Sequence, residues 1–283
     1  MTDSTTTSLN SLFAEIYEGA LFVAREQSLM PGLVTNYSAT GMQNRNIGIY
    51  PTLTAQEVDE GTDYANATEW TKDSKMALTP KSVITQVVLT DQRIATDPDD
   101  ARRDAAREMG GAIATKIDTD LLDLFSGFDN TIGAAGSTMT IKRVAAGIAK
   151  LRNANAPNPI YAVLHPYHWH DVWVELGQPS ANQSFLGDVA NEAMRQWYVG
   201  SWINATWFVS ANISVDDEDD AYSGLFNPEA LALDTRKPPT IEPERDASKQ
   251  AWELNMTAWY GVAERRGEYG CYLLGDAEAP DGT

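Results

Sequence analysis

The chain of 283 residues is 43% hydrophobic and 22% charged, a globular composition that excludes a wholly disordered or collagen-like protein. Charge is the outlier: 21 Lys+Arg against 40 Asp+Glu leave a formal net charge of −19, with no dense basic run, which argues against gripping nucleic-acid phosphates or an anionic membrane as a main activity. The single cysteine, Cys271, rules out an intrachain disulfide and a cysteine-based zinc site. The opening MTDSTTTSLN lacks the basic and apolar regions of a signal peptide, and the longest apolar stretches, such as Ile160 to Leu164, fall far short of the ~20 residues that span a bilayer. A reducing, aqueous compartment is expected.

Residues 1–10 are rich in Ser and Thr and have little to bury. Leu9, Leu12, Phe13, Ile16, Ala20 and Val23 then recur at helical spacing up to the stop at Met30-Pro31-Gly32. Residues 51–80 form a long polar excursion interrupted by Tyr64, Trp70 and Met76, of a kind usually held by a partner. Alternation at residues 69–72 and 75–78 predicts a two-stranded β-arm there. Ser82 to Thr90 reads as a strand, being rich in β-branched residues.

Asp97-Pro98-Asp99-Asp100 is a helix start, with Asp97 as cap and Pro98 at the first helical position. Apolar spacing of three and four from Ala105 carries that helix to about Phe125, roughly 40 Å. Gly127 to Ser137 reads as a loop, and Thr140 caps a second helix that Asn153 to Pro159 stops. Ile160 to Leu164 follows as a buried strand, and Pro166 opens a third helix with Trp169, Val172, Trp173 and Leu176 on one face. A fourth helix is expected over 188–197 and a strand over 205–210. Residues 215–220 (VDDEDD) read as a charged loop and 237–246 (KPPTIEPERD) as a proline-rich connector. Ala251 to Tyr260 alternates as a strand, and 267–274 supplies its hairpin partner.

Residues that carry chemistry form no catalytic set. The histidines cluster at His165, His168 and His170, but His170 falls about 200° around a helix from His168 and there is no H-E-x-x-H pair, so all three read as surface histidines near a helix start. Asp216, Asp217, Glu218, Asp219 and Asp220 lack the spacing and glycine of a calcium loop and read as a solvated turn. No G-x-S-x-G, no phosphate loop and no G-x-G-x-x-G occurs, and Cys271 in a strand reads as core. No catalytic residue, cofactor site or metal site is assigned, and no enzymatic activity is expected.

One long helix, a protruding polar arm, an extended N-terminus and a terminal β-hairpin do not close one core, and they make sense if neighbouring copies cover them. In its element order the chain resembles the major capsid protein of tailed phages and related viruses, an α+β, HK97-like fold. Residues that carry the resemblance are Ala162-Val163-Leu164-His165-Pro166 at a strand-to-helix passage, Ser223 to Leu231 (SGLFNPEAL), and the ending Trp259 to Arg266 (WYGVAERR). The resemblance implies an N-terminal arm over 1–37, a connection over 38–50, an extended loop or β-arm over 51–80, a peripheral domain with its spine helix over 81–139, an axial domain over 140–233, and a return to the peripheral domain over 234–283. Subunit contacts are expected at Leu12, Phe13 and Ile16 of the N-terminal arm and at Tyr64, Trp70 and Met76 of the β-arm.

The function so implied is structural: self-assembly into hexamers and pentamers of an icosahedral shell around viral double-stranded DNA. The protein would be part of the virion, assembled in the host cytoplasm, and would enclose DNA without sequence-specific binding. Partners implied are further copies of the chain, a separate scaffolding protein, a portal and a decoration or cement protein. Lys72 and Lys75 lie in the arm, but no matching asparagine or catalytic acid supports cross-linking. Alternatives are an encapsulin-type compartment shell, a metal-dependent enzyme built on His165, His168 and the acidic loop, and a soluble adhesin or tail component.

Overall fold

A computed structural model of the chain describes residues 28–49, 53, 55, 57–63, 73–96, 98–177 and 201–280. In chain order its strands are β1 (Thr35–Ser38), β2 (Arg45–Ile49), β3 (Asp73–Leu78), β4 (Lys81–Thr90), β5 (Asn130–Gly133), β6 (Tyr161–Leu164), β7 (Ser201–Trp202), β8 (Ala205–Val209), β9 (Asp220–Phe226), β10 (Leu231–Asp246), β11 (Ala251–Glu264) and β12 (Gly270–Asp276). The helices are α1 (Asp91–Thr96), α2 (Pro98–Leu122), α3 (Ile141–Asn153) and α4 (Pro166–Gly177). The helix predicted over 188–197 and the one over 9–29, up to residue 27, lie outside the described residues, as does the expected cap Asp97.

Two sheets carry the fold. The first has four strands in the order β1-β10-β11-β4, and α2 lies on one face. Leu254, Met256 and Ala258 project from β11 toward Ala106, Met109 and Ile113 of α2, with Val87 and Leu89 of β4 closing the side. The alternation of β11 and the three-and-four spacing of α2 are thus two halves of one interface. Complete burial of residues such as Met109, Ile113 and Met256 contributes ~1.5–3 kcal/mol each. After Leu122 the long helix tightens into a 3-10 turn, Asp123–Gly127, which delivers Phe125 to the junction between the sheets.

The second sheet has six strands in the order β5-β12-β9-β6-β8-β7. Helix α3 buries Val144, Gly147, Ile148 and Leu151 in the core shared with this sheet. Its start is as expected: the Thr140 hydroxyl accepts from the Arg143 amide at 3.4 Å. Helix α4 buries Val172, and Trp169 packs on the fully buried Trp207 of β8 with ring centroids 5.7 Å apart. At the junction Phe125 packs on Phe226 at 5.4 Å and on Phe128 at 5.6 Å. Gly224 of β9 makes that possible, because a Cβ there would lie 2.7 Å from the Phe125 ring.

Three expectations are corrected by the pairing. Residues 237–246 are not a connector: they are the outer half of the sixteen-residue β10, paired antiparallel with β11. Pro238 and Pro239 sit in a register shift between Lys237 and Thr240, and the pairing with β1 ends at Thr235, so the prolines lie on an open edge where a missing N–H costs no ladder bond. Strand β12 is not the hairpin partner of β11; a 3-10 turn, Gly267–Tyr269, sends it into the six-stranded sheet between β5 and β9. The loop expected over 127–137 contains β5, ended by Gly133 at φ +96, where any Cβ would strike the Leu274 carbonyl. Strand β3 pairs antiparallel with β2, while residues 69–72, its expected partner, lie outside the described residues.

Candidate assembly surfaces

The arm is rooted by its own sequence. Strands β2 and β3 form an antiparallel ribbon whose buried side chains, Met76 at 5% exposure and Leu78 at 0%, pack on Ala232 of β10, with Tyr37, Ile47 and Ala263 around them. Met76, expected to touch a neighbour, is therefore already covered within its own chain. Arg45 of β2 reaches Asp234 of β10, Nε to Oδ2 at 2.9 Å. Outward from this root the chain changes character. The described residues between 53 and 63 are all exposed, Leu53 at 58% and Val58 at 48% among them, and a turn closed by the Thr62 amide on the Asp59 carbonyl carries Gly61 at φ +83. Tyr64 and Trp70 lie outside the described residues, as do Leu12, Phe13 and Ile16.

The long helix holds the place from which the N-terminal segment departs. Asp118 is 1% exposed and accepts from the Leu29 amide at 3.1 Å, the Met30 amide at 3.2 Å and the Ser28 hydroxyl at 3.1 Å, with Asn212 at 3.5 Å. Burial raises its pKa above the ordinary carboxylate value, and these four bonds offset only part of that cost. Two residues on, Asp120 is held below its ordinary value. Burial alone would raise it, but Lys81 at 2.5 Å, the Tyr260 hydroxyl at 2.5 Å and Lys116 at 3.0 Å together prevail. Asp120 thereby ties the helix to the start of β4 and to β11. The sequence carried one signal of both carboxylates: they stand on either side of Thr119, bracketed by the apolar Ile117 and Leu121-Leu122 of the long helix.

The histidines differ from expectation. His168 is fully buried and His165 is 7% exposed; only His170, at 46% for its side chain, is a surface group. The Gly275 carbonyl can only accept, so His168 Nε2 donates to it at 3.0 Å and Nδ1 accepts from the Ser223 hydroxyl at 2.7 Å. Ser223 in turn accepts from the His165 amide at 3.0 Å. Both ring nitrogens are thus engaged in binding α4 to β9 and β12, and burial lowers the pKa of both histidines. The acidic loop is a backbone turn: Asp216 Oδ1 accepts from the amides of Glu218 and Asp220 at 3.0 and 2.9 Å. Asp220 is not solvated as expected; it is 2% exposed and accepts from the Gly136 amide at 2.8 Å. Among the described residues, no group of three or more His, Cys, Asp or Glu could hold a metal ion. Cys271 is buried, and burial pushes its thiol up to about 11.

A two-sheet plate with one long helix, a rooted ribbon and an exposed tip fits the element order that the sequence resemblance implies. The sequence pattern of a family described as phage capsid protein matches residues 79–270. The chain belongs to the phage capsid protein family. Solved structures similar to this capsid protein include the head structure of Helicobacter pylori bacteriophage KHP40, at 12% identity and TM-score 0.68 over 87% of this chain and 88% of that one. The mature capsid of bacteriophage PhiM1 matches at 17% identity and TM-score 0.67, over 89% of this chain and 88% of that one. A virus-like particle from Pyrococcus furiosus matches at 10% identity and TM-score 0.61, over 92% and 98%. No curated protein sequence matches. The fold is the HK97-like one, and this capsid protein is a structural component of the virion, a subunit of an oligomeric shell.

Proposed function

We propose that this capsid protein closes into hexamers and pentamers of an icosahedral shell around double-stranded DNA, and that its arm and N-terminal segment grip neighbouring copies. The supporting observation is the contrast along the arm. Its root is buried through Met76 and Leu78, while Leu53 and Val58 stand exposed, away from any core of their own chain. Apolar side chains carried outward on a polar ribbon are satisfied by the surface of another subunit. Tyr64 and Trp70 in the arm and Leu12, Phe13 and Ile16 in the N-terminal segment are the further contacts proposed, whereas Met76 roots the arm. Assembly takes place in the host cytoplasm with a separate scaffolding protein and a portal, and a decoration or cement protein attaches to the finished shell. A net charge of −19 suits a wall that encloses DNA without binding its sequence.

The test is a replacement of residues 53–70 by a short Gly-Ser link. Removing all of 51–80 would delete the core residues Met76 and Leu78 and confuse arm loss with misfolding. The shortened protein is expected to fold and stay soluble but to give no stable shells in electron micrographs, where the full chain gives closed particles. Normal shells from the shortened protein would overturn the arm's role.

A further inference from the structure

A buried charge cluster lies where the arm leaves the body, and a shell subunit does not need it for its core. Asp234 lies within β10, with Tyr37 of β1 and Gly261 of β11 as its register partners, and is fully buried. Its Oδ2 takes two cations: Arg45 Nε at 2.9 Å and Arg236 Nη2 at 2.7 Å. Arg45 also donates from Nη2 to the Ser38 carbonyl at 2.9 Å and lies 5.2 Å over the Tyr37 ring. Arg236 Nη1 donates to the carbonyl of Gly41, at 3.4 Å. The Arg45–Asp234 and Arg236–Gly41 bonds tie the segment between Ser38 and Arg45, which carries the chain from sheet into arm, to the carboxylate and its partner, and the Arg45–Ser38 bond closes that segment on itself.

The remaining footing of the arm is apolar, through Met76, Leu78 and Ala232. Apolar burial is non-directional: it fixes how closely the ribbon sits, not its angle. Charge-assisted hydrogen bonds are directional, and an arginine pinned by both a carboxylate and a carbonyl has one orientation. Stability does not explain the cluster, because apolar groups of similar volume in place of buried charges often hold a fold at least as well. Nor is the cluster arranged for the strongest local pairing. Asp234 Oδ1 and Arg236 Nε have no partner, although a two-pronged Arg236–Asp234 pair would use them. The carboxylate instead spends one oxygen on both cations and keeps hold of Arg45.

We propose that Asp234 is a positioning residue which, with Arg45 and Arg236, fixes the angle at which the arm leaves the four-stranded sheet and so the geometry of the contact a second copy receives. The consequence for a second copy rests on the shell reading above, but the angle belongs to the single chain and is tested there. Spin labels at Ala77→Cys on β3 and Lys249→Cys at the β10–β11 turn report it, since both positions are exposed and Cys271 is buried. In the unassembled full chain, R45Q is expected to broaden the inter-label distance distribution and to speed amide exchange over β2 by at least about tenfold. R45K keeps the cation and is expected to restore both readouts most of the way, which a merely packed side chain would not do. D234N should match R45Q if it folds; if it does not, R45Q decides. Unchanged distances and exchange in R45Q overturn the proposal whatever the protein assembles into. If R45Q alters the angle yet gives shells of wild-type diameter, the second half of the proposal fails while the arm's root stands. Absence of shells from the wild-type chain would count against the shell reading and leave the angle measurement intact.

Discussion

Asp118 and Asp120, two residues apart on one helix, respond to pH with opposite sign. Asp118 holds its proton more tightly when folded, so its contribution falls as pH rises above the ordinary carboxylate value of 3.8. Asp120 releases its proton more readily when folded, so its contribution is present above 3.8 and is lost as pH falls below it. Replacing Asp118 by Ala leaves the Leu29 and Met30 amides without their acceptor, and a loss of about 1–3 kcal/mol in urea unfolding is expected. Limited proteolysis should then cut nearer Ser28 and faster than in the wild type. His168 and His165 set the acid side. Their folded pKa values lie below the ordinary 6.5, so the unfolded chain takes up protons first and stability declines as pH drops through about 6.5. Asp171, Asp220 and Asp276 face His168 and temper the effect without reversing it. Thermal unfolding followed from pH 7.5 to 5 should show this decline, and H168Q should flatten it; an equal slope in the variant would remove His168 as its source.

Each element succeeds locally for a stated reason and is then placed by contacts that its own residues do not reveal. Helix α3 begins at Thr140 because the hydroxyl satisfies an orphan amide, and Thr140→Ala is expected to cost about 1 kcal/mol in chemical unfolding. Strand β9 depends on the absence of a side chain at Gly224. Alanine there meets the ring of the fully buried Phe125, which also packs on Phe128 and Phe226, and about 1–3 kcal/mol should be lost. The outer half of β10 shows the reverse case, in which local composition misleads. Three prolines within residues 237–246 read as a connector, yet they occupy an edge and a register shift where the ladder asks nothing of their nitrogens.

Across the whole molecule, the −19 charge means that copies repel before they touch. Assembly followed by light scattering should rise as salt is increased from roughly 0.05 to 0.5 M, because the screening length falls several-fold over that range. A decrease with salt would point to ion pairs between copies as the dominant contact. The family match over residues 79–270 covers the long helix and both sheets apart from β1 and nearly all of β12, whereas the arm's two strands and the N-terminal segment precede it. Most of the plate is therefore what the family pattern recognises, and the parts proposed to grip neighbours lie outside it.

Much of this molecule was readable from the chain itself. The long helix, the cap at Thr140, the strand and proline-led helix around Leu164 and Pro166, the alternation of β4 and β11, and the element order that resembles a capsid protein all follow from residues within a few positions of one another. Periodicity and capping are local, so they survive without knowledge of the fold. Pairing does not. The partners of β12, the union of β2 with β3, the burial of His165 and His168 between α4, β9 and β12, and the bond from Arg45 to Asp234 across 189 positions were fixed only by tertiary structure. A polar residue's spacing shows which face it shares, but whether that face meets water or a second strand depends on segments far away in sequence.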